Sequence, residues 1–141
     1  MKKFLNILLN LIRIALGAIF IYAAIPKILR PDEFADAINN YRTLPFFLVN
    51  IFAVCLPFIE LLYGLFLIIG FRIKAVSFGT LVLMTIFIIA ILSAWIRGID
   101  INCGCFGTGT ESISYKEIIR DILFFGIALI TFLKTPKWRT L

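Results

Sequence analysis

Residues 45–69 read PFFLVNIFAVCLPFIELLYGLFLII, twenty-five positions with a single charge, Glu60. A membrane-spanning helix needs about 20 mostly apolar residues, and this stretch supplies them with no polar face. A helix that is apolar all round belongs in a large protein core or in lipid. The chain has 141 residues, of which 62% are apolar and 16% charged, with a mean hydropathy of +1.05. A chain this short has too high a surface-to-volume ratio to hide so much apolar surface from water. A soluble globular enzyme is therefore excluded, and the solvent for most of the chain is a bilayer.

Working outward, three further stretches have the same character. The expected spans are residues 5–29, 45–69, 75–96 and 118–133, one domain without repeats or linkers. The expected fold is all-α, an integral membrane four-helix bundle. Lys2 and Lys3 before the first span imitate a signal peptide. A secretory apolar region is shorter, about 7–15 residues, and ends at a small-x-small site. Here the apolar run continues to Tyr22-Ala23-Ala24-Ile25-Pro26, so it is expected to stay as a helix.

The flanking charges suggest an orientation. Lys2, Lys3, Arg72, Lys74, Lys134, Lys137 and Arg139 fall on one side, and Lys27, Arg30, Arg42, Arg97, Lys116 and Arg120 on the other. Asp32, Glu33, Asp36, Asp100, Glu111, Glu117 and Asp121 all share the second side. The expectation is N-in and C-in in the cytoplasmic membrane of a bacterium, with two longer loops outside. The net charge of +6 then anchors the ends to anionic headgroups. Without an aromatic-interleaved basic patch it does not indicate nucleic-acid binding.

The first outer loop carries Pro31, Asp32 and Glu33, suited to a helix start. Phe34, Ala37, Ile38 and Tyr41 follow at helical spacing. This predicts a short amphipathic helix on the membrane surface, serving as a lid or as a docking surface for a partner. Ser114-Tyr115-Lys116-Glu117 matches a capping box before the last span.

The chain has no histidine and three cysteines. His-based triads, Cys-His pairs and His-containing zinc sites are thereby excluded. Cys103-Gly104-Cys105-Phe106-Gly107 lies in the second outer loop. A Cys-x-Cys bridge closes a tight, strained ring that is easily reduced, eased by the backbone freedom of Gly104 and Gly107. Three readings stand: a catalytic redox pair at Cys103 and Cys105, a soft-metal site, or a turn with incidental cysteines. Cys55, within the second span, is a small core residue, a resolving thiol or a third metal ligand with Cys103 and Cys105. A disulfide persists on the outer face, so orientation and redox reading support each other.

Arg13 and Glu60 lie at similar depths, counted from the cytoplasmic ends of their spans. An intramembrane charge is costly unless paired, so these two are expected to pair, as a clamp or as a proton- or quinone-adjacent site. Pro57, one turn before Glu60, removes a helix hydrogen bond to Ala53. Lys27, after Pro26, is expected to snorkel outward. Ala75 with Gly79 and Ala90 with Ala94 are candidate close-packing pairs.

These residues resemble the DoxX/MauE family of small redox-associated membrane proteins, its MauE-like branch most. The resemblance runs through Arg13 and Gly17, Pro26-Lys27, Phe34 and Tyr41 before Leu44-Pro45, then Pro57, Glu60 and Gly64, and finally Cys103-Gly104-Cys105-Phe106-Gly107. It implies a four-helix membrane protein working with a periplasmic thioredoxin-like partner. It also implies a part in maturing methylamine dehydrogenase, whose light subunit needs many disulfides. The chain departs from the four-helix quinone-linked disulfide generators, which carry a Cys-x-x-Cys and usually a second pair. With one pair and one lone cysteine it cannot run a two-dithiol relay by itself; quinone is the candidate cofactor if Cys103 and Cys105 are oxidised directly. The expected function is thiol/disulfide exchange at the outer face. The rivals are a soft-metal transporter and a non-catalytic membrane anchor of a redox complex.

Overall fold

The computed structural model describes residues 1–42, 44–98 and 115–134, excepting the side chains of residues 115–117. These residues form five helices and no strand: α1 (Lys2–Leu29), α2 (Pro31–Asn40), α3 (Phe46–Ile69), α4 (Ile73–Ile96) and α5 (Tyr115–Lys134). Three of them, α1, α3 and α4, are long and apolar enough to cross a membrane. In α5, Lys116, Glu117, Arg120 and Asp121 interrupt the apolar run over its first two turns.

The breaks follow from local chemistry. Arg30 precedes Pro31, and a residue before proline is pushed out of the helical region. Its backbone sits at φ −131°, ψ 69°, ending α1 while its N–H still reaches the Pro26 carbonyl. Pro31 then opens α2 as its first residue, with Asp32 and Glu33 in the first turn, where negative charge meets the positive helix end. Gly70 ends α3 at φ +87° and donates to the Phe66 carbonyl at 2.9 Å, joined by Phe71 at 3.1 Å. This left-handed close reverses the chain within three residues, so α4 runs antiparallel to α3.

α1 packs on α3, α3 on α4, α4 on α5 and α5 on α1, while α2 lies against α3 and α1. The closest approach is at two glycines. A Cβ added at Gly17 would stand 2.7 Å from the Gly64 carbonyl oxygen, and one at Gly64 would stand 2.7 Å from that of Gly17. Only glycine lets two backbones meet so closely, as in small-residue contacts between membrane helices. Of the expected small-residue pairs, Gly79 accepts the ring of Tyr63 and Ala94 is fully buried, whereas Ala75 is exposed.

The core contains Leu16, Phe20, Leu67, Val76, Leu83, Met84 and Ala128. Phe52, Phe58, Ile86, Ile89 and Ile122 face outward, the distribution suited to a lipid surround. Where hydroxyls fall in the helices, Thr85 and Thr131 donate to the carbonyls four residues back, at 2.8 and 2.9 Å. Such back-bonding gives a hydroxyl inside a helix an acceptor on its own backbone.

Candidate functional site

Among the described residues, the apolar core holds one concentration of charge. Lys27 of α1 donates from Nζ to both carboxylate oxygens of Glu60 of α3, each at 3.0 Å. Lys27 is 3% exposed and Glu60 2%. The ammonium also lies 5.0 Å from the centre of the Phe34 ring and 5.2 Å from that of Phe87. Each ring offers its negative face to the cation.

Asp121 of α5 is the third member, 3% exposed. Arg120 donates to its Oδ1 through Nε and Nη2, both at 3.4 Å. Asp121 also attracts Lys27 through space. Its Oδ2 has no hydrogen-bond partner among the described residues. With all four groups ionised, Lys27 and Arg120 offset Glu60 and Asp121. A cavity of about 20 Å³ sits at this cluster. Every long helix walls it, with Phe20 and Lys27 from α1, Glu60 from α3, Phe87 from α4, and Asp121 and Phe124 from α5.

α2 closes over one end of the cluster. Its buried residues are Phe34 and Ala37, followed by Tyr41 just past its end. Arg97, which caps α4, donates from Nη2 to the Tyr41 carbonyl. The C-terminal end of α2 is thus tied to the end of α4, after which the cysteine-bearing sequence follows.

The expected Arg13–Glu60 pair is not formed; Glu60 is held by Lys27. Two physical reasons explain the difference. The Gly17·Gly64 contact sets the register of these antiparallel helices. It leaves the Arg13 and Glu60 backbones about 12 Å apart along the axis, eight residues at 1.5 Å each. Helical side chains also lean toward their own N-terminus, so in antiparallel helices these two diverge. Lys27 and Glu60 lean toward each other by the same rule, so Lys27 folds inward and does not snorkel. The guanidinium of Arg13 instead lies beside Gly70, with Nη1 3.3 Å from a Cβ built there. At this end of α3 the last carbonyls carry partial negative charge.

Pro57 is buried in α3 on the Glu60 face, and Ala53, whose helix bond it removes, is buried beside it. Cys55 is exposed, so it is not a thiol of the helix interior. Cys103, Gly104, Cys105 and Gly107 lie outside the described residues, as does Ser114 of the capping box. Among the described residues no group of acids and cysteines could hold a metal ion. Sequence reasoning missed Lys27 and Asp121 as members of the cluster, and with them Arg120, which is bonded to Asp121. Lys27 was assigned to the surface, and Asp121 was counted with the outer acids. The signal for Asp121 was its place three residues inside an apolar run.

A model of the methylamine utilisation protein MauE family matches residues 5–134. The chain is similar to methylamine utilization protein MauE of Paracoccus denitrificans, 28% identical over 120 residues, covering 84% of this chain and 64% of that protein. The same-named protein of Methylorubrum extorquens is 34% identical over 112 residues, covering 78% and 59%. That of Methylophilus methylotrophus is 35% identical over 111 residues, covering 76% and 58%. The chain therefore spans less than two thirds of the length of these curated relatives. No solved structure matches it. With a match running from the first apolar helix to the last, the chain belongs to the MauE family.

Proposed function

We propose that this protein is a membrane component of methylamine utilisation that exchanges disulfides through Cys103 and Cys105 at the outer face of the bacterial cytoplasmic membrane. Its partner is a thioredoxin-like protein, and the exchange supports maturation of an exported enzyme. In this reading all four long helices span, as a bundle with both ends cytoplasmic and with α2 lying amphipathically on the outer surface. α5 belongs in the bundle despite its charges. Its buried acid faces Lys27 across a cavity that every long helix walls, and membrane-embedded charges favour such inward, paired positions.

One observation carries the reading. The helices on either side of the Cys103–Cys105 segment are both tied down: the end of α4 by the Arg97 guanidinium on the Tyr41 carbonyl, and the first turns of α5 by Asp121, which is held by Arg120 and attracted by Lys27. A rigid frame around a short Cys-x-Cys segment suits exchange with a partner thiol, since a functional segment works best on rigid supports. With no histidine in the chain, thiols are the nucleophiles available for exchange, acting as thiolates. Quinone is the candidate oxidant for direct reoxidation. Soft-metal transport through all three cysteines is less favoured, because Cys55 is exposed on the outside of α3.

The test is membrane-impermeant thiol labelling of intact cells, before and after reduction, together with Cys103→Ser and Cys105→Ser variants. We expect labelling of the loop only after reduction. We also expect one single variant to trap a mixed disulfide with a thioredoxin-like protein. Cysteines that are never oxidised, with a double serine variant that still supports growth on methylamine, would overturn the proposal.

A further inference from the structure

The cluster at the centre of the molecule leaves one hydrogen-bonding direction open on each of two groups. The Lys27 ammonium has three donors, two of which are directed at the oxygens of Glu60. Asp121 is 3% exposed, and its Oδ2 meets no donor among the described residues. Leaving a buried carboxylate oxygen without a donor is costly. Both groups line the same cavity of about 20 Å³. A cavity of roughly 10–15 Å³ by this measure takes one water, provided that two to four polar partners surround it.

We propose that this cavity is an internal hydration site holding a single water. The water accepts a hydrogen bond from the third N–H of Lys27 and donates one to Asp121 Oδ2. It joins the α1–α3 ion pair to α5. The water is a neutral ligand that can donate and accept at once, which suits a site whose four charges already cancel. An anion or a second cation would not be matched there. The charged groups lining the cavity are Lys27 from α1, Glu60 from α3 and Asp121 from α5, with Arg120 outside it and bonded to Asp121 Oδ1; α4 contributes Met84 and Phe87. Exchange with the exterior runs along the α1–α5 seam. An open groove there, lined by Ala18, Ile19, Tyr22, Arg120 and Phe124, shares Ile19 and Phe124 with the cavity. The inference is independent of thiol exchange and stands or falls separately.

The experiment is solid-state NMR of the full chain in lipid bilayers, following transfer of magnetisation from water to labelled side chains. Asp121 Cγ and Lys27 Nζ are expected to receive it, while Leu16 and Leu67, buried in the dry core, do not. Asp121→Leu should abolish the transfer to Lys27 while its contact with Glu60 persists, and Asp121→Asn, which still hydrogen-bonds water, should retain it. Phe124→Ala should speed the transfer by widening the seam. No transfer to Asp121 in the unaltered protein would overturn the site, and that result does not depend on any variant folding. So would a residue from 99–114 seen bonded to Oδ2, or undiminished transfer to Lys27 in Asp121→Leu. An unchanged rate in Phe124→Ala would overturn the route.

Discussion

The same two helices, α1 and α3, are held together in opposite ways at two levels. At Gly17 and Gly64 the contact is backbone on backbone, with no side chain between and no polar group from either residue's side chain. A few turns away the contact is a charged bridge, Lys27 to Glu60, sealed by Phe34 and Phe87. The glycine contact fixes how the helices slide past one another, since its geometry has almost no tolerance. The ion pair then joins the two charges that this register brings within reach. Arg13, equally charged and on the same helix as Lys27, is carried to the far end of α3. Packing sets the register, and electrostatics acts on what the register supplies.

Breaking the charged contact from one side should have the largest effect. Glu60→Gln or Lys27→Met leaves the partner buried without its counter-charge, a loss of about 3–5 kcal/mol for a buried pair. Thermal unfolding in detergent, or the amount of folded protein recovered from membranes, reads this. Replacing both residues together by Met and Leu should restore much of the stability, because a buried pair is often no better than an apolar pair. Loss of methylamine-dependent growth in a stable double variant would mark the pair as more than a clamp.

Breaking the glycine contact comes next. Gly17→Ala or Gly64→Ala drives a methyl against a backbone oxygen at 2.7 Å, and backbone cannot swing aside. Overpacking of this kind costs about 1–3 kcal/mol, so a lowered melting temperature is expected. The sharper result is an altered register. If the helices slide to relieve the clash, Lys27 and Glu60 should lose part of their pairing, seen as a longer distance between probes placed on α1 and α3. A destabilised protein with the Lys27–Glu60 geometry intact would show that the ion pair fixes the register by itself.

The smallest effects belong to α2. Arg97→Ala removes the donor to Tyr41 and should speed hydrogen exchange across α2, with a stability change of about 1–2 kcal/mol. Arg30 and Glu33, paired at 3.2 Å but with side chains 62% and 39% exposed, serve as the control. Arg30→Ala should change stability by less than about 1 kcal/mol and leave exchange in the rest of α2 unaltered. Equal responses to the two substitutions would mean that Arg97 does not tie α2 down.

Much of the architecture was legible because it depends on short-range pattern. Pro31 after Arg30, Gly70 after Ile69 and the run from Phe46 to Ile69 each specify a helix boundary within a residue or two. α2 was legible from Phe34, Ala37 and Tyr41, which recur at helical spacing and are all buried. The site was less so. Counting depth from helix ends assumed that α1 and α3 end in the same plane, whereas Arg13 lies beside Gly70, well inside α1 and already past the end of α3. The count also ignored the lean of the side chains. Asp121 was overlooked because its neighbours Lys116, Glu117 and Arg120 gave it the look of a loop acid.

What the amino-acid order alone determined was therefore local and compositional. It set the helices, the lipid-facing apolar surface, the exclusion of histidine chemistry and membership of a recognisable family. Only the tertiary structure decided which charges meet. A backbone contact at Gly17 and Gly64 fixes the slide between two helices, and one residue of slide moves every side chain by about 1.5 Å along the axis. Ion pairing requires oxygen and nitrogen within 4 Å, so a shift of a few residues separates Lys27, which reaches Glu60, from Arg13, which does not.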